Sequence, residues 1–323
     1  MSDMKIINFM SLRKVAGAMS IALVLGALVS LAVNQLKFGL DFTGGTLIEV
    51  GYEQAPSLVD VRNQLQDAGF DDAVVQNFGS EKDILVRLGV TFNDKVGEEV
   101  LKALQSASTS SVDLRRSEYV GAQVGEELTT KGGLGMLFAL AIVMIYVALR
   151  FQIKFSVGAV VALVHDVLIV LGIFSIFKLD FDLTVLAAIL AVIGYSLNDT
   201  IVVSDRVREN FRKMRKSTTI EVINESLTQT LGRTLVTSIT TLLVLTSLLL
   251  FGGELIHGFA LALMIGVLVG TYSSIYVVTN VLLMLDISKE DLIIPPKEDF
   301  VEGEGFEEGE GFEQDLEADL DRP

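Results

Sequence analysis

The chain predicts an α-helical polytopic membrane protein, with six transmembrane helices and one α+β domain between the first and the second. Three observations carry that expectation. Half of the 323 residues are hydrophobic and the mean hydropathy is +0.53, too apolar for a single soluble domain. Six apolar runs, at about 15–33, 132–149, 156–177, 183–204, 234–251 and 258–285, are each long enough to cross a bilayer as a helix. Lys and Arg gather on one side of those runs, as the positive-inside rule requires.

The first run is preceded by Lys5, Arg13 and Lys14 and could be mistaken for a secretory signal. Its 19 uncharged residues exceed a signal core, and no convincing small-residue cleavage site follows, so it reads as a retained helix. With residues 1–14 placed in the cytoplasm, that side also receives Arg150, Lys154, Arg206, Arg208, Arg212, Lys213, Arg215, Lys216, Arg233 and Lys289. The opposite loops, 178–182 and 252–257, offer only Lys178. Both termini are then cytoplasmic, and residues 34–131 form the one large outer domain.

That outer domain has a readable order. Thr46–Tyr52 reads as a strand and Leu58–Ala68 as a helix with Ser57 at its N-cap. Ala73–Phe78 and Asp83–Leu88 read as strands joined at Gly79-Ser80. Lys95–Ser106 reads as a helix and Val112–Val120 as a last strand. The order βαββαβ is that of a ferredoxin-like fold.

Charge is uneven. The net charge is −16, yet residues 298–323 hold 12 acids and one base, so the low isoelectric point describes the tail. EGEGFE occurs at 302–307 and again at 308–313. Gly and dense like charge predict a disordered cytoplasmic tail over 286–323. No nucleic-acid partner is expected. There is no Cys, hence no disulfide or thiolate metal site. His165 and His257 are far apart and suggest no metal cluster. No nucleophile–base pair, phosphate loop or metal-ligand spacing appears, so neither an enzyme nor a bound cofactor is expected.

The chemistry lies in the membrane runs. Leu183–Val203 contains one charge, Asp199. A carboxylate there costs about 2.5–3.5 kcal/mol on insertion scales, and such acids usually face water or a partner. Asp199 reads as an ion-coupling site, or else as a structural contact between helices. It sits roughly 8 Å inside the cytoplasmic boundary, on one face with Tyr195 and Ser196. Ala187, Ala191 and Gly194 form a small strip beside them, suited to close packing. Arg233 opens the fifth run from the same side, followed by Thr237, Ser238, Thr240 and Thr241. It reads either as the partner of Asp199 or as an interfacial anchor. Asp166 lies about 15 Å deep in the third run, next to His165. The pair could relay a proton or be structural, and adjacent helical residues need not touch. Gly266 and Gly270, with Ser273 and Ser274 after them, read as helix-packing glue without chemistry. In FGLDFTGGT (38–46), Gly44 and Gly45 can supply positive φ and Asp41 can cap a turn. That motif reads as a tight turn feeding the first strand.

Two of these motifs together resemble a known family. FGLDFTGGT after the first run and VIGYSLNDTIVVSDRVRENFRK (192–213) resemble the SecD/SecF family of protein-export membrane subunits, within the resistance–nodulation–division superfamily. SLTQTLGRTLVTSITT (226–241) and FGGELIHGF (251–259) extend the likeness, which covers residues 38 to about 285. It implies the SecF half of a six-plus-six bundle in the bacterial inner membrane. The implied partners are SecD, the SecYEG channel, YajC and the translocating preprotein. The implied role is to promote late steps of preprotein export, driven by transported H⁺ or Na⁺. The family's essential acid falls on Asp199 and its essential Arg on Arg233. Tyr195, Ser196, Asn198, Thr237 and Asp166 remain secondary ion-path candidates. Asp41, Phe42, Thr43, Gly44, Gly45 and Gly194 are motif positions. Asp205 also matches, but beside Arg206 and Arg208 it reads as an interfacial charge. The rival readings are a non-transporting scaffold and a small-molecule exporter subunit.

Overall fold

A computed structural model describes residues 6–71, 73–89, 95–108, 111–214, 216–288 and 291. Lys5, Arg215, Lys289 and the expected acidic tail past Ser288, Asp291 apart, lie outside the described residues.

After a short 3-10 turn the chain enters α1 (Arg13–Val33). Strand β1 (Lys37–Phe38) and the one-turn helix α2 (Leu40–Thr43) follow. An α/β domain comes next, built from β2 (Gly45–Tyr52), α3 (Leu58–Asp67), β3 (Val74–Phe78), β4 (Ser80–Leu88), α4 (Val96–Ala107) and β5 (Val112–Val120). Its sheet has the order β3-β4-β2-β5, and every neighbouring pair is antiparallel. Ser57 occupies the N-cap of α3, but its side chain makes no capping bond.

Periodicity explains which face of the domain is covered. Ile48 and Val50 on β2 and Ile84 and Val86 on β4 alternate at period two and are fully buried. Val61 and Leu65 on α3, and Val96, Val100 and Leu104 on α4, recur at helical spacing and meet them. One face of the sheet is thus packed under two helices.

The long helices are α5 (Ala122–Arg150) and α6 (Ile153–Ile176), then, after strand β6 (Asp180–Phe181), α7 (Leu183–Lys213), α8 (Thr219–Phe251) and α9 (His257–Met284). With α1 they make six helices long and apolar enough to cross a membrane. Three of them overrun their apolar stretches. Helix α5 begins ten residues before Gly132, because Ala122–Lys131 contains no Pro and its one Gly, Gly125, is accommodated. Helix α7 runs to Lys213, and α8 starts at Thr219 instead of near Arg233. The reason for the last is a capping box: the Thr218 hydroxyl accepts from Glu221 N while the Glu221 carboxylate accepts from Thr218 N.

The extensions of α7 and α8 pack on each other. Val207 and Phe211 meet Val222, Ile223 and Leu227, and Asn210 donates to Ser226 Oγ and Gln229 Oε1. The N-terminal segment ties onto this hairpin, with Met10 N donating to Asn224 Oδ1 at 3.0 Å.

Helix α9 is the centre of the bundle, contacted by α1, α6, α7 and α8. Small residues make that possible. A Cβ built on Gly266 would lie 2.1 Å from Val192 Cγ2 on α7, so the two helices approach as closely as a hydrogen side chain permits. Gly266→Ala should therefore push α9 away from α7 and cost about 1–3 kcal/mol, read as a lowered thermal midpoint of the purified protein in detergent.

In the α/β domain, burial pushes the Tyr52 phenol up from 10.0 to about 12, and among the described residues its hydroxyl has no hydrogen-bond partner. The folded state binds that proton more tightly than the unfolded chain. The associated stability is complete below the unfolded pKa of 10.0 and is lost as pH rises through about 12. Tyr52→Phe should remove this alkaline loss and be neutral or stabilising by about 1 kcal/mol near neutral pH. Chemical denaturation near neutral pH and at about pH 11 checks both points.

Candidate functional site

Helices α6, α7, α8 and α9 bring a polar cluster together inside the apolar bundle. Asp199 on α7 is 8% exposed. Its Oδ1 accepts from Thr234 Oγ1 on α8 at 2.6 Å, and its Oδ2 accepts from Ser274 Oγ on α9 at 2.5 Å. Asp166 on α6 is 1% exposed. Its Oδ2 accepts from Ser196 Oγ on α7 at 2.5 Å and from Ser273 Oγ on α9 at 2.7 Å. Its Oδ1 lies 2.8 Å from His165 Nδ1. Two carboxylates thus hang from neighbouring serines of one helix, and their donors come from different helices. Hydrogen bonds to a charged acceptor of this kind are the strong ones.

The adjacent pair His165 and Asp166 do touch, because the imidazole turns back along α6 toward the carboxylate. The His165 ring stacks on Tyr272 with centroids 6.2 Å apart, and among the described residues its buried Nε2 has no hydrogen-bond partner. Tyr272 in turn donates to the Ala16 carbonyl on α1 at 2.7 Å.

The expected face of α7 divides. Ser196 serves Asp166, not Asp199. Tyr195 donates to Ser238 Oγ at 3.1 Å, and Ser238 pairs with Thr271 Oγ1 at 2.7 Å. Asn198 and Gly194 point away from the cluster, and with Ala187 and Ala191 they form a strip that this chain leaves exposed. Nothing lies within 4 Å of a Cβ built on Gly194.

Arg233 does not stand beside Asp199. Among the described residues no ion pair joins it to Asp199; it is exposed, and the next residue, Thr234, makes the contact. Residue 233 lies mid-helix in α8, and one step of about 100° turns it off the face that meets α7. Thr237 shares that outward face, its hydroxyl donating to backbone carbonyls of Arg233 and Thr234. Asp205 pairs with Arg150 at 2.9 Å and with Arg208 at 3.1 Å, while Arg206 turns to Glu209.

Thr234, Ser273 and Ser274 are the functional side chains that sequence reasoning passed over. Their signal was present: hydroxyls inside apolar runs, one of them next to an Arg and two of them three and four residues after Gly270. Helical spacing assigned each to a face, but not to an acid on another helix.

The GG motif is also relocated in role. Gly44 and Gly45 have φ of 70° and 128°, and a Cβ on Gly45 would lie 2.5 Å from the Leu88 carbonyl. Asp41 does not cap its own turn. Its Oδ2 accepts from Leu183 N, the first residue of α7, at 3.0 Å. Phe42 stacks on Phe181, and Thr43 donates to the Gly39 carbonyl at 3.1 Å.

Among the described residues no group of three or more His, Cys, Asp or Glu is placed to hold a metal ion. The cluster is a pair of carboxyl groups held by hydroxyls from α7, α8 and α9.

Fold and site define a polytopic helical membrane protein with paired acids in its bundle and one α/β domain inserted after its first membrane helix. The family described as protein export membrane protein SecD/SecF, C-terminal, matches residues 99–288, and the SecD/SecF GG motif matches residues 29–56. The chain belongs to this SecD/SecF protein-export family. It is 54% identical over 297 residues to the protein translocase subunit SecF of Pseudomonas aeruginosa, covering 92% of this chain and 97% of that one. The SecF subunits of Vibrio alginolyticus and Escherichia coli O157:H7 are 49% and 45% identical, covering 91% and 90% of this chain and 94% and 91% of their own lengths. A crystal structure of SecDF, a translocon-associated membrane protein from Thermus thermophilus, superposes with a TM-score of 0.80 at 37% identity. That match covers 87% of this chain and 39% of the SecDF chain.

Ser274→Ala or Thr234→Ala, each leaving one Asp199 oxygen without its donor, should cost about 1–2 kcal/mol. Thermal unfolding in detergent measures the loss, and Thr237→Ala, whose hydroxyl bonds only backbone, should leave the midpoint unchanged.

Proposed function

We propose that this chain is an accessory subunit of the Sec protein translocase, working with SecD in the bacterial inner membrane. In this reading it promotes late steps of preprotein export using an ion-motive force. One observation carries the reading: in a chain of the SecD/SecF family, a membrane-helix carboxylate, Asp199, is held by hydroxyls from two other helices. Taking up H⁺ or Na⁺ cancels its charge, the Thr234 and Ser274 contacts weaken, and α7 is free to shift against α8 and α9. An ion does work only if it binds the two arrangements differently.

Several features support the finer parts of this reading. The outward faces of α8 and of the Gly194–Asn198 strip suit a second helical half, which SecD would supply. Arg233 and Thr237 would then face that partner, with Arg233 available to an acid there. The Lys and Arg distribution favours cytoplasmic termini and a periplasmic α/β domain. The βαββαβ order with strand order β3-β4-β2-β5 favours a ferredoxin-like fold for that domain. The SecYEG channel, YajC and the preprotein enter as partners through the relatives' role in translocation.

A scaffold reading has one observation on its side. Both Asp199 oxygens already have hydroxyl donors, so the acid could serve as a packing contact. The two readings separate in membrane vesicles holding SecD, the channel and either the wild-type chain or Asp199→Asn. Preprotein translocation is followed with imposed H⁺ and Na⁺ gradients in turn. The coupling reading expects the gradient's benefit to vanish in Asp199→Asn while the complex still assembles. A full response in the variant would leave the scaffold.

A further inference from the structure

The segment Gly39–Gly45 does more than turn the chain. Its partners come from four places. Gly39 N donates to the Phe181 carbonyl at 2.8 Å. Strand β1 pairs in parallel with β6, Lys37 opposite Asp180 and Phe38 opposite Phe181. Asp41 Oδ2 takes the free N–H of Leu183 at the start of α7. A Cβ built on Gly125, in α5, would lie 2.8 Å from the Phe42 carbonyl. On the domain side, Gly45 runs directly into β2 and abuts Leu88 of β4. Asp180, between α6 and α7, pairs with Lys37 at 2.8 Å and with Arg87 of β4 at 3.4 Å.

Helix α7 is the element common to both ends. It carries Asp199 near its middle and is bonded to Asp41 at its first residue. Under the sheet face that α3 and α4 leave open lies a cavity of about 480 Å³, lined by Leu47, Leu85 and Arg87 above and by Leu179, Leu255 and Leu261 below. The domain is therefore tied at one corner with open space beside it.

We propose that Gly39–Gly45, with Asp41 as its positioning residue, is the joint through which α7 turns the α/β domain over this cavity. The inference rests on the reading of Asp199 as an ion-coupling site. A rigid helix transmits an axial or rotational shift along its length. The single Asp41–Leu183 bond, the β1–β6 pair and the rings of Phe38, Phe42 and Phe181 pass that shift to β2.

Spin-label distances test it in the full chain, copurified with SecD and placed in vesicles. The sequence has no Cys, so Asn63→Cys on exposed α3 and Val33→Cys at the end of α1 label uniquely. In the otherwise wild-type chain, Asp199→Asn mimics the neutral acid and should shift this distance. The shift should be lost with Asp41→Ala and kept with Asp41→Asn, whose amide oxygen still accepts from Leu183 N. A shift that persists in Asp41→Ala overturns the joint and leaves the coupling reading intact. No shift on Asp199→Asn in the wild-type background also overturns the joint, whereas the coupling reading is decided by the gradient response of Asp199→Asn in the translocation assay. A second pair, Val33→Cys with Phe251→Cys, reports the bundle alone. If Asp41→Ala disturbs that pair, Gly125→Ala, which wedges the same joint from α5, takes its place with the same two outcomes.

Discussion

Two acids inside an apolar bundle impose the constraint on which the rest of the architecture depends. A carboxylate removed from water must be given donors, or the helix that carries it is expelled or neutralised. Asp166 and Asp199 draw theirs from Ser196, Ser273, Thr234 and Ser274, and those four hydroxyls belong to three helices. Satisfying the acids therefore sets how α6, α7, α8 and α9 lie against one another. The close approach at Gly266 and Gly270 follows from the same need, since a short Ser side chain reaches an acid on the next helix only if the backbones are near.

The start of α7 is held by a different device with the same electrostatic logic. The first N–H groups of a helix have no internal acceptor, and acids stabilise that end. Asp182 accepts from Val185 N at 2.9 Å as a local cap, while Asp41 reaches the same helix start from 142 residues away in sequence. One acid comes from the loop before α7 and the other from the segment that leads into the α/β domain. A local folding requirement is thereby used to fasten two parts of the molecule together.

What remains uncovered is equally informative. Helix α5 exposes most of its apolar residues and α8 half of its own, among them Phe138, Ile142, Val236, Leu243 and Val244. On α8 these alternate with Arg233, Thr237 and Thr240, which no lipid tail would solvate. A face of that mixed kind suits another protein surface better than bare hydrocarbon, and it gives the six-helix bundle the character of one half of a larger assembly.

Much of this was legible in the residues themselves. The six apolar runs, the order of strands and helices between the first two, and the cost of Asp199 all follow from periodicity and transfer energies, which are local or additive properties. Helix ends need more than hydropathy: the capping box Thr218-x-x-Glu221 sets the start of α8 at Thr219, fifteen residues before the apolar run that begins at 234. The partners were not legible. Nothing in the spacing of Ser273, Ser274 or Thr234 says that they serve acids on α6 and α7, that Thr234 and not Arg233 meets Asp199, or that Asp41 caps a helix beginning at Leu183. The residues alone say which groups could not be left unpartnered in the membrane, because burial energies belong to residues. Which groups satisfy them is set by the packed helices, because a hydrogen bond is a matter of distance and direction between elements that the chain order does not contain.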